Sequence, residues 1–298
     1  MNFGFDPIDN PAFEVFSSKT YETPFVLNSP HSGRVYPDSF IEQSRLGSLR
    51  IRKSEDFMVD CLVEGCLELG IPLLKANFPR AFLDVNREPY ELDQAMFSER
   101  LPDYVNVKSL RVGSGLGTIA KIVAEGEAIY SGKLSVEEGL LRVENIYRPY
   151  HAALRRLLAE THVNYGSAVL IDCHSMPSNS THLMINDRRP DFVLGDRFGS
   201  SCAPKITHCA KTILQQMGYI VEINKPYAGG FITEHSGRPD NGLHALQIEI
   251  NRGLYMDELR IEQSADFDNF ALDIKLFFKQ LMGMELGDLN GNVPLAAE

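Results

Sequence analysis

The sequence predicts an α/β layered fold: a mixed, mostly parallel central sheet with helices on both faces. Two observations carry this expectation. Short apolar runs without polar alternation, such as Ala168-Val169-Leu170-Ile171, read as strands buried on both faces. Segments with helical periodicity separate these runs, which is the pattern of layered α/β chains.

Taken in order, Pro24-Phe25-Val26-Leu27-Asn28-Ser29-Pro30 is an apolar run bracketed by prolines, a strand ending just before His31. Ser54 is placed to cap a helix with Glu55 and Asp56 in its first turn and Phe57, Met58, Cys61, Leu62 and Leu69 along its apolar stripe. Strands are expected at 71–76 and 81–85. Gly113-Ser114-Gly115-Leu116-Gly117 lacks the spacing and lysine of a phosphate loop and reads as a mobile loop. Ser135 and Glu138 suit a capping box ahead of a long helix reaching Leu158, kinked near Pro149. Further strands fit 168–171, 192–194, 219–223 and 246–250, with helices over 205–217 and 267–282.

A chain of 298 residues, 44% hydrophobic and 23% charged, can bury a substantial core, and we read it as one domain over 1–298. Its core spans about 20–285, with a loose tail at 287–298. The balance of 29 Lys+Arg against 40 Asp+Glu gives a net charge of −11, which argues against a nucleic-acid surface. Any bound anion must therefore be caught by a few arginines inside a pocket. Five cysteines, with no CxxC pair, fit neither a disulfide framework nor a zinc knuckle and point to a reducing compartment. No run approaches the ~18 apolar residues of a membrane helix, and the first ten residues lack signal-peptide character, so a cytoplasmic location is expected.

Three segments sit just beyond predicted strands, where open α/β sheets bind ligands: His31, His174 and Glu249-Ile250-Asn251-Arg252. A lone strand-end histidine is more often structural. Two of them beside a carboxylate form the open His/His/carboxylate set of a catalytic zinc site. No HExxH or GxSxG is present, so metal ligands would be dispersed and a serine elbow is absent. Cys173, next to His174, would face the other side of its strand and belong to the core. Glu249 lies within an apolar strand, either as half of a buried ion pair or as a general base of raised pKa. Arg80 and Arg87 flank the 81–85 run, and a guanidinium suits a carboxylate because its planar fork can meet both oxygens.

Together, Asn28-Ser29-Pro30-His31-Ser32-Gly33, Asp56, Arg80, Asp84-Val85-Asn86-Arg87, Gly115-Leu116-Gly117, Asp172-Cys173-His174-Ser175 and Gln247-Ile248-Glu249-Ile250-Asn251-Arg252 resemble the N-formylglutamate amidohydrolase family over about residues 25–258. That resemblance implies a phosphorylase/hydrolase-like fold akin to zinc carboxypeptidases and aspartoacylase-type deacylases. It further implies one Zn²⁺ per chain, with another divalent metal as the alternative, on His31, Asp56 and His174, with Glu55 as competitor for the third position. Arg80 would polarise the scissile carbonyl and Glu249 would act as base. Asn86 and Arg87 would grip the substrate carboxylate, with Arg252 as the further candidate. The carboxylate ligand stands later after the first histidine than in the carboxypeptidases. The implied substrate is a small acidic N-formyl amino acid, N-formyl-L-glutamate, cleaved to formate and glutamate in histidine degradation. The alternatives are a zinc hydrolase of another N-acyl amino acid and a metal-free protein that binds an acidic ligand. His235, His244 and Asp196 are candidates to line the pocket or to serve the fold.

Overall fold

The computed structural model describes residues 3–6, 8–17, 23–178 and 189–284; the proposed tail, 287–298, lies outside them. The elements run β1 (Phe13–Phe16), β2 (Phe25–Ser29), α1 (Asp38–Gln43), α2 (Val59–Glu64), β3 (Leu73–Ala76), α3 (Leu110–Gly113), α4 (Val136–Arg142), α5 (Arg148–Tyr165) and β4 (Ala168–Met176). They continue with β5 (Phe192–Gly195), α6 (Pro204–Gln216), β6 (Val221–Ile223), α7 (Phe231–Ser236), β7 (Leu243–Asn251), β8 (Met256–Asp257), β9 (Glu262–Gln263) and α8 (Phe267–Met282).

Seven strands form one mixed sheet in the order β1-β3-β2-β4-β7-β5-β6. β3, β2, β4 and β7 run parallel, while β1 and β5 each lie antiparallel to their inner neighbour. Strand alternation divides the side chains between two cores. Phe25, Leu27, Val169, Ile171, Cys173, Leu246 and Ile248 pack with apolar residues of α2, α6 and α8. Val26, Leu170 and Ala245 pack with α5 and with parts of the long excursion between β3 and α4. Both faces are thus covered, which is why these strands read as continuous apolar runs. Each fully buried Leu, Ile or Phe contributes about 1.5–3 kcal/mol. Many such residues are needed here, because the second face also carries the buried polar row Asn28, Asp172, His174, Gln247 and Glu249.

Several local expectations differ from the structure. The 81–85 run is buried but is not a strand; it turns tightly, with Phe82 N bonded to Pro79 O, and wraps the Phe82 ring against Phe3 and Phe40. Ser54 does not cap a helix. It ends a short 3-10 turn, Ile51–Ser54, after which Glu55 is extended and Met58, left-handed at φ 54°, precedes α2. Helix propensity at Glu55-Asp56 yields to a tertiary bond, since the Asp56 amide donates to His31 O at 3.0 Å. Part of the Gly113–Gly117 loop is closely packed: a Cβ on Gly117 would meet Glu91 O at 2.2 Å, and Lys121 N bonds Gly115 O at 2.9 Å. At Gly117 the glycine serves close approach of backbone.

The long helix does begin at Ser135, whose hydroxyl accepts from Glu138 N at 3.1 Å. Glu138 does not return the bond but pairs with Arg142. Near the expected kink a π-helical turn, Val143–Tyr147, interrupts the run between α4 and α5. Pro149 accounts for its place, because proline donates no amide and its ring crowds the carbonyl four residues back. Helix α8 matches its expected span, whereas β1 and α7 are too short to show periodicity. Among the described residues no helix is long and apolar enough to cross a membrane.

The turn after β2 depends on one residue with no side chain. A Cβ on Gly33 would lie 2.0 Å from Phe78 O and 2.5 Å from Asn77 C, both backbone atoms. We expect Gly33→Ala to cost about 2–4 kcal/mol. The thermal midpoint would fall by roughly 5–10 °C, as calorimetry would show. An unchanged midpoint would show that the loop yields freely.

Candidate metal centre and active site

The chain passes from β2 to β3 on one side and later returns to β4 on the other, so the order of the sheet reverses between β2 and β4. Such a switch point opens a crevice at the carboxyl ends of the strands. His31 follows β2, His174 stands near the end of β4, and Glu249 of β7 lies beside His174 in register. Sheet geometry alone therefore brings together residues far apart in sequence.

His31, Asp56 and His174 are 1%, 1% and 3% exposed, and one ligand atom from each lies within 4.8 Å of the others. Asp56 Oδ2 is 2.9 Å from His174 Nδ1 and 3.4 Å from His31 Nδ1. The far nitrogens each meet a carboxylate: His31 Nε2 lies 2.8 Å from Asp84 Oδ1, and His174 Nε2 lies 3.0 Å from Asp172 Oδ2. A carboxylate at Nε2 draws the proton there and turns the Nδ1 lone pair toward the common centre, the arrangement that orients metal-binding histidines. His31 Nδ1 is buried and has no hydrogen-bond partner, an unsatisfied acceptor aimed at that centre. The three side chains fit a metal ion with an open position.

The charges agree with this geometry. Burial opposes ionisation of Asp56, but the adjacent His174 and His31 imidazoles outweigh it and hold the carboxyl well below its usual range. Burial likewise opposes ionisation of Asp84, and Arg87, Arg80 and His31 overcome it. At His174 burial disfavours the charged form, yet Asp172 and Asp56 push its pKa well up. The centre attracts positive charge, whether proton or metal cation. Glu55 is turned elsewhere, accepting from Tyr36 OH at 2.6 Å and Arg52 Nε at 3.0 Å.

A cavity of about 560 Å³ opens over this centre, lined among others by Glu249, Arg80, Arg87 and Arg252. Glu249 accepts from Gln247 Nε2 at 2.8 Å and, among the described residues, forms no ion pair. Burial, helped by the charge of Asp56 against the opposing effects of His174, Arg80 and Arg252, raises its pKa to about 7. Arg80 donates through Nε to Asp84 at 3.0 Å, leaving its terminal nitrogens without a hydrogen bond to the described residues. Arg87 is more committed: Nε to Leu116 O and Nη1 to Asn86 O, each at 2.8 Å, with Nη2 3.6 Å from Asp84. Arg252 braces Asp56, with Nη2 3.2 Å from its Oδ1 and Nε 3.0 Å from Ser175 Oγ. Asn86 lines the cavity, but its Oδ1 accepts from Ile232 N at 2.8 Å and its Nδ2 lies 3.2 Å from His174 Nε2.

The family model for N-formylglutamate amidohydrolase matches residues 23–256. The chain belongs to this family. Two N-formylglutamate deformylases are similar to it: that of Pseudomonas putida, 29% identical over 90% of this chain and 94% of its own, and that of Pseudomonas aeruginosa, 29% identical over 82% and 86%. The crystal structure of N-formylglutamate amidohydrolase from Ralstonia eutropha is 34% identical, covers 91% of this chain and 96% of its own, and superposes with a TM-score of 0.84. A gene product of Agrobacterium tumefaciens, 16% identical with a TM-score of 0.65, shares the fold.

Not every polar residue singled out in this amidohydrolase reaches the cavity. Asp196 binds Gly199 N, Asn224 Nδ2 and Thr207 Oγ1, fixing a turn. His244 accepts from Ala203 N at 3.3 Å, and His235 stacks on Phe231. Neither histidine nor Asp196 lines the cavity. Three residues escape sequence reasoning. Tyr227 lines the cavity, and burial with the charge of Glu249 pushes its hydroxyl pKa up. Asp84 and Asp172 orient the two histidines. Their signal was present in Asp84-Val85-Asn86-Arg87 and Asp172-Cys173-His174, but an acidic residue near a histidine is too common to single out.

Removing Asp56 as Asp56→Ala should weaken divalent-metal affinity by at least ~100-fold, beyond what loss of an orienting partner costs. Glu55→Gln should leave that affinity near wild type. Metal titration with elemental analysis separates the two; equal losses in both variants would remove Asp56 from the ligand set.

Proposed function

We propose that this chain hydrolyses N-formyl-L-glutamate to formate and L-glutamate, using one zinc ion held by His31, Asp56 and His174. The observation that carries the proposal is the buried triad with the unpartnered His31 Nδ1, set beside a glutamate of raised pKa in an arginine-lined cavity. Family membership and the names of the similar proteins supply the substrate. A metal bound there supplies Lewis acidity, lowering the pKa of water and polarising a carbonyl. Histidine degradation, a cytoplasmic setting and a single domain belong to the same proposal.

The protein's own groups then have defined tasks. Glu249 takes a proton from the attacking water, whose oxygen bonds to the formyl carbon. As the C–N bond breaks, Glu249 hands that proton to the departing amine, and formate and glutamate leave. Arg80, fixed by Asp84 at Nε, turns its terminal nitrogens toward the developing oxyanion, a contact of a kind worth about 3 kcal/mol. Arg87 meets the substrate carboxylate with Nη2. Asn86 keeps Arg87 and His174 in register, and Arg252 holds Asp56 from behind.

Glu249→Gln should retain metal and fold while losing about 10²–10⁴-fold in turnover. A general base acts only when ionised, so wild-type kcat/KM should fall with decreasing pH through the Glu249 pKa, about 7. A bound cation moves this limb to lower pH, never higher. Near-normal activity of Glu249→Gln, or an acid limb that Glu249→Gln leaves unchanged, would remove Glu249 as base.

The cavity should prefer N-formylglutamate over N-formylaspartate and over formyl amino acids with neutral side chains, because the analogues leave buried polar groups unpaired. Arg87→Lys replaces a planar donor set by a point charge. The expected loss is about 2 kcal/mol, roughly 30-fold in kcat/KM for N-formylglutamate. Equal rates across acidic and neutral substrates would sink the clamp, and faster turnover of a different N-acyl amino acid would replace the substrate.

A further inference from the structure

The loop that carries Asp84, Asn86 and Arg87 is buried without sheet partners, so its carbonyls need donors from elsewhere. Three come from a single helical run. Arg142 Nη1 donates to Phe82 O at 3.0 Å, His151 Nε2 to Val85 O at 2.8 Å, and Tyr147 OH to Arg87 O at 2.6 Å. All three donors are buried, at 0%, 6% and 4% exposure, and the Tyr147 and His151 rings lie 4.3 Å apart.

Their spacing is not that of an α-helix, in which residues four apart share a face and those five apart do not. Arg142 and Tyr147 are separated by the π-helical turn Val143–Tyr147, whose wider i→i+5 closure places them one turn apart. Tyr147 and His151 follow at the ordinary four-residue step. In an uninterrupted helix the face of Arg142 would continue through Ile146 and Tyr150. Ile146 has no hydroxyl, and Tyr150 here points to Asn28 Oδ1 at 2.5 Å.

We propose that the π turn aligns this helix face with the loop, and that Tyr147 and His151 are positioning residues that set Arg87 and Asn86 against the substrate. Burial lowers the His151 pKa to about 4, so its ring stays neutral at physiological pH and adds no charge beside Arg87. Phe82 O is secured independently, since the Arg142 guanidinium also stacks 4.0 Å over the Phe82 ring. The free variable is therefore the segment from Val85 to Arg87. Its role in recognition rests on the proposed function, whereas its dependence on Tyr147 and His151 does not.

Tyr147→Phe removes one hydroxyl and keeps the ring. In this variant KM for N-formylglutamate should rise about 10-fold with kcat within about 3-fold, the worth of one buried hydrogen bond. Metal content should be unchanged. Hydrogen exchange in the resting protein should quicken at 84–88 and not in the sheet. In an Arg87→Lys background Tyr147→Phe should add no further rise in KM, because its effect acts through Arg87. His151→Gln, which retains a donor, should keep more of the wild-type KM than His151→Leu. Unchanged exchange at 84–88 in Tyr147→Phe overturns the proposal whatever the substrate proves to be. So does a full additional KM increase in the Arg87→Lys background. If the wild type fails to cleave N-formylglutamate, the functional reading falls and the exchange measurement alone decides the positioning role.

Discussion

Asp56 lies between two histidines at 1% exposure, and an ionised carboxylate in such a place costs several kcal/mol unless it is compensated. The surrounding contacts supply that compensation. His31 and His174 face it, Arg252 and Ser175 brace its other oxygen, and its amide is tied to His31 O. Asp84 and Asp172 then balance the two histidines from outside, and Arg80 and Arg87 balance Asp84. Charge alternates outward from the centre. Each shell requires the next, so the removal of one member leaves an unpaired buried charge and not merely a lost contact. This is why the neighbouring Glu249 is informative: it stands in the same environment with, among the described residues, a hydrogen bond from Gln247 and no ion pair, and its carboxyl is accordingly held back from ionising.

The fold makes this charge cluster possible by separating functions across the sheet. One face of β2, β4 and β7 is aliphatic and packs under α2, α6 and α8; the other carries Asn28, Asp172, His174, Gln247 and Glu249. Strand alternation lets adjacent residues serve opposite needs, as in Cys173 and His174, one in the core and the next at the site. The parallel register then fixes His174 beside Glu249 to within the tolerance of a ladder. Such rigid placement suits a reaction that needs a base, a metal ligand and a substrate anion held at fixed distances.

What could be read from the sequence follows from which forces are local. Strands β2, β4 and β7 and helix α8 declare themselves through burial on both faces or through a 3.6-residue stripe, and the residues just beyond the strands gather at the crevice as the topology demands. The 81–85 run was apolar for the right reason, burial, but burial is also met in an irregular loop whose carbonyls are satisfied by side chains. No local pattern distinguishes these cases, because the donors come from a helix some sixty residues later. Ser54-Glu55-Asp56 looked like a helix start, and the tertiary bond from Asp56 N to His31 O decided otherwise. His31 and His174 were legible as strand-end histidines, while Asp84 and Asp172, which orient them, were not. Asn86 and Arg252 were legible as candidate site residues, but their hydrogen bonds inside the protein show only in three dimensions.

Helix α5 and the π turn before it give these separate parts a common reference. Tyr150 donates to Asn28, Asn28 donates to Asp172 at 2.7 Å, and Asp172 orients His174, which connects the helix to the metal side. Tyr147 and His151, on the adjoining face, hold the carbonyls of Arg87 and Val85, which connects it to the anion side. A rotation of the helix by one residue, about 100°, would misalign both sets together. A continuous α-helix offers one stripe of residues at three- and four-residue spacing, whereas two targets separated around the axis require an offset. The inserted π-turn residue provides this offset, and Pro149 fixes where it falls. In the proposed reading the helix thus references both the candidate metal centre and the candidate anion site, and a rigid spacing of this kind would distinguish substrates by length as well as by charge.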